Sequence, residues 1–157
     1  MNEAALVSSL INKYKTNNPF ELCDALDIIV LEVPLTGVRG FYQYYSKNSM
    51  VYIDSDLPEQ VKKFVCAHEL GHALMHQDTN AIYLDTRTFL KTSIYERQAN
   101  QFSINLLFPH DDFFDEYREC TISQVARCLS ISEELLEYRI REIKSWTQQQ
   151  RVEGECE

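Results

Sequence analysis

Leu6, Val7, Leu10, Ile11 and Tyr14 recur at helical spacing, which predicts an amphipathic helix over residues 3–15 with one buried stripe. Asn18-Pro19 follows as an N-cap and a proline at the first helical position, opening a short helix through Ala25. The β-branched run Ile28–Val33 then reads as a strand, closed by Pro34. Beyond Gly37 and Gly40, the runs Phe41–Tyr45 and Met50–Ile53 flank Ser46-Lys47-Asn48-Ser49 and predict a hairpin. From Pro58 to about Gln77 the period is helical again. Val61, Val65, His68, His72 and Met75 lie on one stripe and Cys66, Leu70 and Leu74 on the next, an apolar arc wide enough for a largely buried helix.

Residues 78–91 have no clean period and read as a loop, after which Ser93 is a candidate cap for a helix running to Leu107 and stopped by Pro109. Thr121 begins a helix with Ile122, Val125, Ala126 and Leu129 inward, and Ser132 begins another with Leu136, Ile140 and Ile143 inward. The expected fold is therefore α+β: a small sheet of about three strands packed on helices, with a C-terminal helix pair. The expected organisation is a core over 1–110, a helical extension over 111–146 packed on it, and a polar, flexible tail over 147–157.

At 157 residues, 45% hydrophobic and 25% charged, the chain is long and apolar enough to bury a real core, which excludes a disordered class. No apolar run approaches the roughly 18 residues of a membrane span, and the amino-terminal stretch lacks the basic start and apolar centre of a secretory signal. A cytoplasmic protein is expected. The net charge of −9 argues against a nucleic-acid partner, whose phosphates recruit Lys and Arg. Five cysteines without C-x-x-C spacing are expected to be free thiols.

The chemistry concentrates in His68-Glu69-Leu70-Gly71-His72, an H-E-x-x-H inside the buried helix. Side chains at i and i+4 share a face one turn apart, so two imidazoles can grip one Zn²⁺. Glu69 is offset about 100° around the helix from His68, to the side where an attacking water would sit, and is the candidate general base. Zinc lowers the pKa of bound water to about 7, and the carboxylate beside it can take the proton and return it to a leaving amine.

A third ligand is needed. His76 lies about 12 Å along the helix from His68, too far for one ion to reach both, and reads as a packing or capping residue. Asp78 sits where a longer zinc motif would place its third ligand, but that motif needs a turning Gly where this chain has Met75. His110 is a lone histidine in an acidic loop. Glu96 ranks first, because it shares a helical stripe with Asn100, a polar residue one turn on that can serve an imidazole's other nitrogen. Gly71 costs roughly 1 kcal/mol against Ala, and close approach of the helix bearing Glu96 would be a reason to keep it.

The block Lys63–His76, followed by Glu96-Arg97-Gln98-Ala99-Asn100-Gln101-Phe102 and Leu106-Leu107-Phe108-Pro109, resembles the ImmA/IrrE family of bacterial and phage zinc metallopeptidases. The resemblance runs over roughly residues 20–140. It implies a zincin-like, gluzincin-type site of His68, His72 and Glu96 with Glu69 as base. It also implies a protein substrate, a helix-turn-helix repressor of a prophage or mobile element.

Two other readings compete. In one, a regulator binds DNA through the helix pair; yet between Thr121 and Trp146 the basic residues Arg127, Arg139, Arg141 and Lys144 are balanced by Glu133, Glu134, Glu137 and Glu142. In the other, the protein binds its repressor partner without cleaving it and uses zinc for structure. Met50–Ile53 is expected to form a sheet edge that receives substrate, and the helix pair Thr121–Arg141 is a candidate docking surface. Tyr45, Tyr83, Tyr95 and His110 are equal candidates to stabilise an oxyanion.

Overall fold

The computed structural model describes residues 2–77, 89–110 and 116–154, with the side chains of 89–92 and 145–154 excepted. Asp78, Tyr83 and Cys156 lie outside the described residues. The chain divides into two compact units, Met1–Leu107 and Phe108–Glu157.

In the first unit, α1 (Glu3–Tyr14) is capped by Asn2, whose Oδ1 accepts the Ala5 N–H at 2.8 Å. α2 (Pro19–Ala25) is capped by Asn18, which accepts the Phe20 N–H at 3.1 Å. Three strands follow: β1 (Ile29–Val33), β2 (Gly40–Tyr45) and β3 (Asn48–Asp54). The hairpin loop is shorter than the sequence suggests. Only Ser46 and Lys47 turn, with φ of 50° and 65°, the two left-handed residues whose twist matches the flanking strands.

The strand order is β1-β3-β2, with β1 parallel and β2 antiparallel to β3. β3 is therefore the central strand, and the expectation that Met50–Ile53 forms an edge is overturned. Val51 and Ile53 are fully buried, whereas Ile29 and Leu31 on β1 and Tyr44 and Tyr45 on β2 are exposed, as suits strands at the rim. Which side of a hairpin a third strand joins is a long-range choice that local alternation does not record.

One sheet face, through Tyr42, Val51 and Ile53, packs on α3 (Glu59–Met75). α3 also packs on α2 and on α4 (Phe89–Leu107), with Cys66, Ala67, Leu70, Ala73, Phe102 and Leu106 in the same core. A helix covered on several sides is apolar around most of its circumference, which is the pattern seen in its sequence. α4 begins four residues before Ser93, so Ser93 lies inside the helix and not at its start. Gly71 meets the reason anticipated for it: a Cβ there would lie 3.1 Å from Phe102 Cδ1 and 3.3 Å from Ala99 Cα.

In the second unit, α5 (Ile122–Leu129) starts in a capping box between Thr121 and Gln124, and α6 (Glu133–Gly154) follows with Ser132 accepting the Leu135 N–H. Val125, Ala126, Leu129 and Leu136 form a small core of their own, and Arg139 Nε donates to the Phe108 carbonyl at 2.9 Å. The last helix runs on to Gly154, past the Trp146 boundary expected from the sequence. Thr147–Glu153 contains no breaker and includes three glutamines and an arginine, so propensity carries the helix to the glycine.

The four described cysteines are free thiols. No helix among the described residues is long and apolar enough to cross a membrane.

Substituting Gly71→Val should overpack the α3–α4 contact and destabilise the protein by about 1–3 kcal/mol in urea unfolding. Unchanged stability would mean that the two helices have room to spare.

Candidate metal centre

α3 brings His68 and His72 to one face, and α4 lays Glu96 across both. Glu96 Oε2 is 3.2 Å from His68 Nε2, and Oε1 is 3.1 Å from His72 Nε2. The two Nε2 atoms are themselves 3.2 Å apart. One donor atom from each of the three residues falls in a group no wider than 4.8 Å.

The donor set fits a cation. Two imidazole lone pairs and a carboxylate oxygen converging in a partly buried site repel one another unless a proton or an ion lies among them. Without an ion the group balances its charge with protons. Burial works against a charged His68, but the hydrogen bond to Glu96 and the charges of Glu69 and Glu96 outweigh it, leaving the imidazole above its usual range. Hydrogen bonds from His68 and then His72 hold the Glu96 carboxyl far below the ordinary carboxylate value.

Glu69 stands beside this group and is 7% exposed. Burial pushes its carboxyl up, opposed by the two histidines and by the backbone N–H of Tyr42 on β2. The strand comes this close because residue 40 is glycine: a Cβ there would sit 2.5 Å from Val65 Cγ1 and 2.7 Å from the Tyr52 carbonyl oxygen. In front lies an open cleft of about 430 Å³, walled by Gly37, Val38, Arg39, Phe41 and Phe64 and floored by the histidines, Glu69, Glu96 and Asn100.

The remaining candidates distribute clearly. Asn100 lines the cleft and faces His68, while His68 Nδ1 is buried with no hydrogen-bond partner among the described residues. His76 is outside the three-donor group and sits behind His72, with its ring on Tyr95. Tyr95 is thereby engaged away from the cleft lining, Tyr45 is 68% exposed at the hairpin end, and His110 belongs to the second unit. Sequence reasoning missed the contribution of β2 to holding Glu69 and the contact of Gln98 with His76. Gly40 was the available signal for the first. The i+4 rhythm His68, His72, His76 was the signal for the second.

A buried helix with two histidines one turn apart, answered by a glutamate from the next helix at the floor of a cleft, defines a metal-dependent peptidase class. The chain belongs to the Peptidase_M78 family, whose IrrE N-terminal-like domain matches residues 23–141. It is 36% identical over 146 residues to the uncharacterized immunity region protein 2 of Bacillus phage phi105, covering 90% of this chain and 92% of that one. It is 26% identical over 147 residues to metallopeptidase ImmA of Bacillus subtilis strain 168, covering 90% of this chain and 85% of the relative. The family is one of metallopeptidases, so a protein substrate and a metal ion are implied.

Purified protein should bind about one zinc per chain, measured by elemental analysis, and Glu96→Ala should lose it. Unchanged stoichiometry in Glu96→Ala would remove Glu96 from the centre. Because His68 takes up a proton more readily than a free imidazole, protons compete with the ion, and zinc affinity should fall as pH drops through the raised His68 value.

Proposed function

We propose that the protein is a zinc-dependent endopeptidase, zincin-like and of gluzincin type, that acts in the cytoplasm on one protein. The observation carrying this reading is the convergence of His68 Nε2, His72 Nε2 and the Glu96 carboxylate beside the buried Glu69 at the floor of an open cleft. His68, His72 and Glu96 hold the metal, Glu69 is the general base, and Asn100 supports the ligands from the cleft side. Residues 1–110 form the catalytic core and 111–146 a helical extension.

A zinc ion held by these three residues supplies Lewis acidity, which lowers the pKa of water and polarises a carbonyl. The chain's own groups do the rest. Glu69 accepts a proton from the water attacking the scissile carbonyl, and returns it to the amine as the C–N bond breaks. Its burial suits the role, since desolvation raises the basicity of the carboxylate towards working pH. The Tyr42 amide fixes where that carboxylate points.

Substrate binds along β2, the strand that borders the cleft and has β3 on one side and no strand on the other among the described residues. An extended peptide adds to such an edge through main-chain hydrogen bonds. The partner is a helix-turn-helix repressor of a prophage or mobile element. Support for this comes from the relatives' names, an immunity region protein of a phage and a metallopeptidase.

Glu69→Gln should keep the zinc and lower the rate of partner cleavage by at least about a hundredfold, the ordinary share of a general base. Full activity in that variant would sink the mechanism. The wild-type protein should cut a co-encoded repressor into discrete fragments by mass spectrometry and leave casein nearly intact, because a protease that needs docking positions only one bond. Rapid digestion of casein at many sites, at equal enzyme concentration, would refute the specificity.

A further inference from the structure

α3 carries a third imidazole in the same four-residue rhythm, and its surroundings assign it a task. His76 is 7% exposed, its ring centroid lies 4.3 Å from that of Tyr95, and both its nitrogens have partners. Nε2 is 3.0 Å from Gln98 Oε1, and Nδ1 is 3.2 Å from His72 Nδ1. His72 thus shows one nitrogen, Nε2, to Glu96 and His68 and the other, Nδ1, to His76.

The hydrogens along this row follow from what each atom can do. An amide oxygen only accepts, so His76 Nε2 carries the hydrogen and donates it to Gln98. The Nδ1 of that neutral ring is then an acceptor. His72 Nδ1 must supply the donor, so the lone pair that His72 can offer an ion is on Nε2, which donates to Glu96 when no ion is bound and faces the three-donor group. That tautomer and that direction are what a metal-binding imidazole needs, and a fixed partner on the far nitrogen is the usual way to obtain them.

We infer that His76, held by Gln98 and Tyr95, is the positioning residue that fixes the tautomer and orientation of His72 for zinc. The inference rests on the zinc-site reading above. It separates the two histidine ligands, because His68 Nδ1 has no hydrogen-bond partner among the described residues. It also separates His76 from a residue that merely ends the helix. The His76 backbone N–H does cap α3 by donating to the His72 carbonyl at 2.9 Å, but that bond survives any side-chain substitution that leaves the backbone in place.

His76→Phe keeps a ring on Tyr95 and removes the acceptor, whereas His76→Asn restores an acceptor near the position of Nδ1. Gln98→Leu, at a half-exposed site, removes only the group that orients His76. Zinc dissociation constants come from competition with a chromophoric chelator, with thermal unfolding of the metal-free proteins run alongside. Expected are ten- to hundredfold weaker zinc binding in His76→Phe, recovery to within a few-fold in His76→Asn, and an intermediate loss in Gln98→Leu.

In the zinc-loaded wild type, nitrogen-15 spectra should show His72 protonated at Nδ1 and metal-bound at Nε2. His76→Phe binding zinc as tightly as wild type would overturn the inference while leaving the zinc site intact, as would His72 ligating through Nδ1. Should His76→Phe fail to fold, Gln98→Leu and the wild-type spectrum decide alone, and full zinc affinity in Gln98→Leu would count against the relay. A wild-type protein that binds no zinc would overturn the zinc-site reading itself, and the inference with it.

Discussion

With no side chain at Gly71, α4 rides so near α3 that the Phe102 ring and the Ala99 backbone come within 3.1 and 3.3 Å of where a Cβ would sit. Glu96 is three residues before Ala99, on the turn that this contact positions. A glutamate side chain is short, and ligand distances of about 2.0–2.2 Å leave little tolerance, so an extra ångström between the helices would take the carboxylate away from both imidazoles. Gly40 does the same on the other flank. There β2 closes on Val65 and brings the Tyr42 amide to Glu69. The two missing side chains therefore set the separation of the three layers that meet at the site.

Charge is the second constraint. Glu69 and Glu96 put two carboxylates beside two imidazoles, Glu69 buried and Glu96 half-exposed, and a charge held out of water is costly unless it is paired. A divalent cation answers two carboxylates at once. Protons answer them only in part, as the opposite shifts of the two glutamates show: Glu96, touching both histidines, is pulled down, while Glu69, buried and more remote, is pushed up. Two acids of the same type are given different readiness to hold a proton, which is how one site supports a ligand and a base together.

Local pattern carried much of this into the sequence. The stripes of α1, α3, α5 and α6, the Asn18-Pro19 start and the Thr121 cap all rest on interactions within a few residues, and the H-E-x-x-H spacing fixes His68, Glu69 and His72 on one helix. Glu96 was reachable too, by elimination and by the cost of Gly71. What was illegible depends on contacts between distant segments. The middle position of β3 follows from β1 joining the far side of the hairpin, and Ile29 and Leu31 look like core residues until the sheet's exposed face is seen. His76 was weighed as a ligand and set aside on distance, which was sound for coordination but silent about the back of the His72 ring.

The reversal in strand order improves the functional argument. A central β3 has its backbone groups taken by two neighbours and offers a peptide nothing, whereas β2 has no strand on its other side among the described residues and lines the cleft through Gly40 and Phe41. In a two-residue hairpin the closing pair, Tyr45 and Asn48, is hydrogen-bonded, so the alternation of the ladder turns the backbone groups of Gly40, Tyr42 and Tyr44 away from β3. Tyr42 points its N–H at Glu69 from that same side. The strand proposed to measure out the substrate is thus the strand that holds the base, and a peptide paired along it has its scissile bond referenced to the Glu69 carboxylate through a single rigid backbone.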